Sequence, residues 1–271
     1  MKKALDCLNA LMLGIIIASL VFALATTMLV TTGPIIQHPH GIPYADLQNI
    51  TVKVESGNAV GTGVIVTRRV GTVTRSFVWT AAHVVDDSRK ADGSFRLLYV
   101  SWEVRECGRF VVTNKQPAKV IAYSDPEKGE DLALLEILCD DFLPLRESAT
   151  FILDESIPSV GTELVHVGCT MGWYDSVSLG IISQTDRTLE SAPGMFDQTS
   201  TMGYPGSSGG GVYLLDGKCI GLLTRGVGAG LNFVVPARRM QAWARDTGIL
   251  WAMDPSIPVP VQVKTTPLGH E

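Results

Sequence analysis

The sequence predicts an all-β fold built as two antiparallel β-barrels, and three observations support this prediction. Ile50, Val52 and Val54 alternate with polar residues, which is the period of a half-buried strand. Short apolar runs then recur between turns, and almost no stretch has helical periodicity. The strand-rich part is roughly 200 residues long, which suits two barrels of about 100 residues each.

The apolar runs fall into two sets, one for each expected barrel. The first set lies at residues 60–66, 73–81, 95–104, 110–112, 120–123 and 132–138. The second set lies at residues 164–167, 177–182, 211–215, 219–223 and 231–235.

One short helix is predicted after the second set, over residues 236–247. Pro236 suits the first turn of a helix, and Met240, Trp243 and Ala244 lie on one face at helical spacing. A helix this short is expected to dock on the barrels. The proline-rich residues 253–271 are expected to form an extended tail.

Composition excludes some classes of function. The 271 residues are 46% hydrophobic and 18% charged, with a formal net charge of −5. This balance suits a well-cored domain and offers no basic surface for nucleic acid. His38 and His40 have no Cys or acidic neighbour, so we interpret them as solvated linker residues and expect neither metal nor cofactor. His166 lies within an apolar run and is interpreted as structural.

The N-terminal segment has the pattern of a membrane anchor. Lys2 and Lys3 precede residues 11–30, which carry no charge and would span about 30 Å as a helix. The positive-inside rule then places the remaining chain outside the cytoplasm, in the periplasm or the extracellular space. The alternative is secretion after cleavage of a signal peptide, because Ala23 and Ala25 form a small-x-small site. The apolar run continues beyond that site, which favours the anchor.

The positions of the cysteines do not determine which disulfides form. Cys7 precedes the apolar segment and is therefore separated from the others. The remaining four, Cys107, Cys139, Cys169 and Cys219, allow three pairings, among which the sequence does not choose.

The loop at residues 203–210, Gly-Tyr-Pro-Gly-Ser-Ser-Gly-Gly, is the strongest candidate for a catalytic site. A serine hydroxyl is a poor nucleophile and needs an adjacent base. The negative oxygen of the transition state needs preorganised donors, which backbone N–H groups of Gly206 and Ser208 would supply. This loop alone is only a glycine-rich turn, so a base and an acid must occur elsewhere.

Both partners occur in a suitable setting. His83 follows an apolar run, and Asp131 precedes an apolar strand. In the Ser-His-Asp template the histidine transfers the proton and the buried carboxylate orients the imidazole. The chain order His83, Asp131, Ser208 is that of the double-barrel serine proteases. The three residues together predict a catalytic triad.

These motifs resemble those of a known family. From residue 61 to about residue 240 the chain resembles the protease domain of the HtrA (Deg) branch of trypsin-like serine proteases. The similar segments are residues 61–66, 80–85, 131–137, 160–161, 168–172, 180–183, 198–199 and 205–210. Residues 231–236, Leu-Asn-Phe-Val-Val-Pro, resemble the Gly-Phe-Ala-Ile-Pro strand of the family.

The resemblance implies two six-stranded barrels and a serine endopeptidase that acts through an acyl-enzyme. It implies His83 as base, Asp131 as orienter, Ser208 as nucleophile, and the N–H groups of Gly206 and Ser208 as oxyanion hole. The expected partners are protein or peptide substrates, unfolded ones included, and further copies of the chain. The implied organisation is an anchor or signal peptide (1–32), a linker (33–46), the protease domain (47–252) and the tail (253–271).

Three departures from the family pattern stand out. Ser207 and Tyr204 occupy positions where the family usually has asparagine. Digestive relatives carry an aspartate at the Ser207 position that pairs with a newly cut N-terminus. Ser207 cannot form this ion pair, so activation by such a cut is not expected. The roughly 25 residues after the predicted helix are also too few for the PDZ domain that many members carry.

The resemblance also implies a pocket for the substrate side chain before the scissile bond. The expected walls include Met202, Thr224, Arg225, Gly226 and Leu231. A pocket that selects Lys or Arg needs a buried carboxylate at its base. No Asp or Glu lies between residues 198 and 215 or between residues 217 and 244, so selection of Lys or Arg has no physical support. We expect small or medium aliphatic side chains, and we expect the Arg225 side chain to point away.

Two other functions stay open at this point. A non-catalytic binding protein or chaperone could use the same barrels, although it would not need the three triad residues together. A maturation protease with a narrow substrate range would carry the same motifs.

Overall fold

The strands lie between residues 51 and 236, and the computed structural model describes residues 44–106, 108–139, 148–227 and 230–260. The predicted membrane segment, the linker before residue 44 and the tail from residue 261 lie outside the described residues. Within the described ranges, no helix combines the length and the apolar character that crossing a bilayer requires.

Among the described residues, the first part of the chain contributes two short α-helices and six strands. The helices are α1 (Tyr44–Asn49) and α2 (Ala82–Val85). The strands are β1 (Thr51–Ser56), β2 (Ala59–Val70), β3 (Val73–Ala81), β4 (Leu98–Glu106), β5 (Arg109–Tyr123) and β6 (Leu132–Ile137). Helix α1 begins inside the predicted linker because Leu47 is buried in the core and docks this segment on the domain.

The six strands close into a barrel in the order β1-β2-β3-β6-β5-β4, through antiparallel pairs. Its interior is filled by side chains at alternating positions, among them Val52 and Val54 of β1 and Val78 of β3. The predicted first barrel is therefore confirmed. The predicted runs at 110–112 and 120–123 are one strand, β5, whose polar middle pairs with β4 along the whole hairpin.

The described residues of the second part form seven strands and one α-helix. The strands are β7 (Thr150–Phe151), β8 (Glu163–Gly168), β9 (Ser176–Leu189), β10 (Ala192–Thr199), β11 (Gly211–Leu214), β12 (Lys218–Gly226) and β13 (Asn232–Pro236). The helix is α3 (Ala237–Asp246).

These strands form a seven-stranded sheet in the order β11-β8-β9-β10-β13-β12-β7, and β11 additionally pairs with β12. Strands β7 and β10 are missing from the sequence prediction. Strand β10 contains Pro193, Gly194 and Asp197, which hide its apolar pattern, but β9 and β13 pair with it on both sides. Strand β7 has two residues, too few for any pattern.

Helix α3 confirms the predicted helix, with bounds one residue shorter at each end. Pro236 is the N-cap residue and not part of the first turn, because it still belongs to strand β13. Met240 and Ala244 are buried in an apolar cluster that contains side chains of both sets of strands. The chain after the helix extends this cluster with Trp251, Ala252 and Met253, and the Trp79 indole N–H donates to the Ala252 carbonyl at 3.0 Å.

Three described cysteines, Cys139, Cys169 and Cys219, are free thiols, and Cys107 lies outside the described residues. Burial raises the pKa of Cys169 and of Cys219 to about 12 in each case. Both thiols therefore stay protonated and act as small apolar core residues.

Candidate active site

His83 and Asp131 are brought together by the pairing of two neighbouring strands. Residue Ala81 ends strand β3 opposite Leu132 at the start of β6. The chain then turns into helix α2, which carries His83, while Asp131 immediately precedes β6. The ring Nδ1 of His83 lies 2.9 Å from Asp131 Oδ2, and the backbone N–H of His83 donates to Oδ1 at 3.0 Å.

The Asp131 carboxylate is held in a fixed position. The residue is buried and has a left-handed backbone, with φ of 55°. Its carbonyl accepts the N–H of Ala82 at 3.1 Å, so backbone and side chain both engage the start of helix α2. Because Asp131 occupies Nδ1, the hydrogen on the neutral ring is drawn to that nitrogen and Nε2 is left as an acceptor.

Ser208 lies on the loop between β10 and β11, which is tied to both sets of strands. Its carbonyl accepts the N–H of Thr62 in β2 at 2.8 Å. The next N–H, of Gly209, donates to the Leu223 carbonyl in β12 at 2.7 Å. The loop therefore has a fixed position relative to His83.

His83 and Ser208 line one cavity of about 810 Å³. The other lining residues are Ser191, Gly203, Tyr204, Pro205, Leu223, Thr224, Arg225, Gly226, Val227 and Asn232. The three residues of the predicted triad thus lie at one place, with Asp131 behind His83 and Ser208 in the same cavity as the imidazole.

Gly206 occupies a position that other residues do not fit. Its φ is 93°, and an added Cβ would lie 2.3 Å from the carbonyl oxygen of Cys169. The Pro205 carbonyl accepts the N–H of Met171 at 2.7 Å. Because the peptide between Pro205 and Gly206 is planar and trans, its N–H points away from Met171. Within the described part of the chain the N–H groups of Gly206 and Ser208 have no hydrogen-bond partner.

Ser207 is buried beside the candidate nucleophile and finds its partners locally. Its Oγ lies 3.0 Å from Thr170 Oγ1 and accepts the N–H of Tyr204 at 3.3 Å. A pair of neutral hydroxyl groups thus holds this position of the loop. The sequence shows that Ser207 lacks the charge for an ion pair, but Thr170 lies on a distant turn and gave no sign of this role.

The Arg225 side chain points towards Asp131, whereas the sequence-based expectation is that it points away from the site. Its guanidinium lies 3.4 Å from the Asp131 carboxylate and donates to the Pro126 carbonyl. The buried carboxylate attracts the cation, and the loop before β6 provides the carbonyl acceptor. A charge from strand β12 is thereby placed against Asp131, next to His83.

Only some of the residues expected to form the substrate pocket line this cavity. Thr224, Arg225 and Gly226 line the cavity, whereas Met202 and Leu231 do not and are 50% and 41% exposed. The residue that sequence reasoning missed is Asn232, which is fully buried and lines the cavity. The sequence does carry one signal for Asn232: it stands where the family strand Gly-Phe-Ala-Ile-Pro has its glycine.

His166 is a core residue, as interpreted from the sequence. Its Nδ1 lies 3.1 Å from the Gly211 carbonyl, and burial lowers its pKa to about 4. Among the described residues, no group of three or more His, Cys, Asp and Glu side chains could hold a metal ion.

Comparison with known proteins shows the family of this chain. Residues 61–222 match the family model described as "Trypsin-like peptidase domain". A probable periplasmic serine endoprotease DegP-like of Marinomonas sp. (strain MWYL1) is 35% identical over 127 residues, which are 45% of this chain and 25% of that protein. The serine protease HTRA4 of Mus musculus is 30% identical over 151 residues, which are 50% of this chain and 30% of that protein. The chain thus spans less than a third of the length of these relatives.

Solved structures share the fold. The crystal structure of Deg5 has a TM-score of 0.57 and 19% sequence identity, covering 78% of this chain and 94% of that chain. The structure of the serine endoprotease from Yersinia pestis has a TM-score of 0.55 and 21% identity, covering 77% of this chain and 67% of that chain.

Proposed function

The chain belongs to the trypsin-like peptidases, and we propose that it is a serine endopeptidase of the HtrA type that cleaves proteins or peptides through an acyl-enzyme. The observation that carries this proposal is the pair formed by His83 Nδ1 and the buried Asp131, beside a cavity that His83 shares with Ser208. A structural histidine would have no need of a fixed carboxylate at one nitrogen and an open cavity beside it.

In the proposed mechanism the Ser208 hydroxyl attacks the scissile carbonyl while Nε2 of His83 accepts its proton. Asp131 keeps the hydrogen on Nδ1 and stabilises the imidazolium that forms. His83 then protonates the leaving amine, and the acyl group stays on Ser208. Water, deprotonated by the same nitrogen, hydrolyses the acyl-enzyme and restores the serine.

The proposed oxyanion hole consists of the N–H groups of Gly206 and Ser208. Both are without a partner among the described residues, and the orientation of the Pro205 carbonyl towards Met171 supports this role for Gly206. Donors that are already oriented stabilise the developing charge without reorganisation, and each is worth about a hundredfold to a thousandfold in kcat.

We further propose that the second sheet acts as the second barrel of the fold. The pairing of β11 with β12 supports this, because it joins two strands that lie at opposite ends of a run of six. The proposed site then lies between the barrels, with His83 and Asp131 contributed by the first and Ser208 by the second.

We propose a location outside the cytoplasm for the protease domain, anchored through residues 11–30. The charge pattern of the N-terminal segment supports this, as does the word periplasmic in the name of the Marinomonas relative. Full-length chain should stay in the membrane fraction after alkaline carbonate extraction. A mature N-terminus at Thr26 would show instead that the segment is a cleaved signal peptide.

A fluorophosphonate that reacts with activated serines tests the proposed chemistry. We expect stoichiometric labelling of the wild-type protein, no labelling of Ser208→Ala, and strongly reduced labelling of His83→Ala. The same variants should fail to degrade an unfolded protein such as reduced casein, with unchanged thermal stability. Labelling that persists in Ser208→Ala, or a wild-type protein that never labels, would contradict the proposal and favour a binding function.

A further inference from the structure

Asn232 has a buried polar atom without a partner. The residue begins strand β13 and is fully buried. Its amide Nδ2 donates to the Thr201 carbonyl at 2.7 Å, which fixes the orientation of the amide because a carbonyl only accepts. The Oδ1 atom therefore points to the other side, where no described residue donates to it. Buried acceptors of this kind are uncommon and call for an explanation.

The residue that carries this buried oxygen also lines the cavity that contains Ser208. Asn232 lines this cavity together with Gly203 and Gly226. A Cβ added to Gly226 would lie 1.9 Å from Oδ1, and one added to Gly203 would lie 2.9 Å from it. The amide of Asn232 thus occupies the space that a side chain at Gly226 would need, and it lies between Gly226 and Gly203.

The charges around the cavity do not favour an ionic side chain. None of the residues that line the described cavity is an Asp or Glu. The cation of Arg225 is already paired with Asp131. A Lys or Arg side chain entering the cavity would therefore meet a positive charge and no carboxylate.

Resting on the function proposed above, we propose that Asn232 determines specificity by selecting a small hydroxyl-bearing side chain, Ser or Thr, directly before the scissile bond. A short side chain fits above the amide, and its hydroxyl donates to Oδ1. A longer aliphatic chain such as Leu or Ile meets the amide itself and leaves the oxygen unpaired. This assignment replaces the sequence-based expectation of aliphatic walls from Met202 and Leu231.

The test uses peptides that differ only at the residue before the cut. Ser is compared with Ala, and Thr with its near-isostere Val, so each pair isolates one hydroxyl. For the full-length wild-type chain we expect kcat/KM to favour the hydroxyl in both pairs by about two- to tenfold, the gain of one hydrogen bond. Peptides with Leu at this position should be poor substrates.

Two variants separate the acceptor from the volume of the amide. Asn232→Leu keeps the branched shape, is no smaller than the amide and removes the acceptor. Both hydroxyl ratios should therefore fall to about one, while peptides with Leu before the cut should remain poor substrates. Asn232→Ala removes both the acceptor and the volume, so cleavage after Leu should rise about ten- to two-hundredfold relative to cleavage after Ser.

Fluorophosphonate titration of each protein keeps the two proposals apart. If the wild-type protein does not label, the proposed endopeptidase function is wrong. If it labels, yet prefers Leu or shows no hydroxyl preference in either pair, the role of Asn232 is wrong and the protease function stands. The wild-type ratios decide this even if a variant does not fold. Folded variants with unchanged ratios would also overturn the role of Asn232.

Discussion

The Gly206→Ala substitution tests the oxyanion hole by a change of one methyl group. Gly206 has φ of 93°, where an L side chain is strained by roughly 1–2 kcal/mol or more. The added Cβ would also lie 2.3 Å from the Cys169 carbonyl oxygen, a distance that real Cβ contacts do not reach. The peptide that carries the proposed donor N–H must therefore move.

The expected loss can be scaled from the role of that N–H. Removing one oxyanion donor costs about a hundredfold to a thousandfold in kcat, equivalent to about 2.7–4 kcal/mol. An oxyanion donor acts on the charge that develops in the transition state and much less on the ground-state substrate, so KM should change little. Stability should fall by the backbone strain together with the cost of relieving the contact with Cys169.

Gly217→Ala is the matched control for this experiment. Gly217 lies in the turn before β12 with φ of 84°, and an added Cβ would meet no atom within 4 Å. The control therefore carries similar backbone strain without the clash and away from the cavity. Both variants should melt at a lower temperature, and only Gly206→Ala should lose kcat, measured with a peptide substrate after active-site titration. A Gly206→Ala enzyme with kcat within about threefold of the control would refute the assignment.

Three further predictions concern residues around the site. Asp131→Asn should lower kcat about ten-thousandfold at neutral pH while retaining the fold, because a carboxamide can donate to His83 Nδ1 and favour the wrong tautomer; near-normal steady-state turnover would exclude the proposed role. Burial lowers the pKa of His166 to about 4, below its unfolded value of about 6.5, so the unfolded chain binds more protons between these values. The free energy of unfolding should thus fall by up to about 3 kcal/mol as pH decreases from about 6.5 to about 4. Denaturant titrations of His166→Asn should show a free energy of unfolding that depends less on pH. The same pH dependence in His166→Asn as in the wild-type protein would contradict this. Thr170→Val and Ser207→Ala should each destabilise the loop, and their double mutant should differ from the sum by about 1 kcal/mol if the two hydroxyl groups interact; additive losses in thermal denaturation would mean that they do not.

Local patterns in the sequence predict much of the fold. Alternation and short apolar runs predicted the first barrel, and the helical spacing of Met240 and Ala244 predicted helix α3. The prediction failed where pairing depends on neighbours and not on local pattern. Strand β10 contains proline and glycine, and the middle of β5 is polar, yet backbone ladders with adjacent strands hold both in place. The hydrogen bonds of a strand ladder involve only backbone atoms, so the pattern of side chains along one strand does not reveal them.

The candidate triad can be identified from local features of the sequence. Each of His83, Asp131 and Ser208 stands in a local setting that reflects its proposed role, and their order along the chain matches a known template. The glycines around Ser208 likewise indicate a tight loop through their own conformational freedom. Such features are local, and a single sequence can reveal them.

The surroundings of these residues depend on contacts that form only in the folded chain. The contact of Arg225 with Asp131, the hydroxyl pair of Thr170 and Ser207, and the oxygen of Asn232 against Gly226 each join separate strands or loops. A side chain several bonds long can turn towards or away from a cavity, and its direction depends on partners that folding brings from elsewhere. The sequence therefore predicts neither the direction of the Arg225 side chain nor the place of Asn232 in the cavity, because their partners are near only in space.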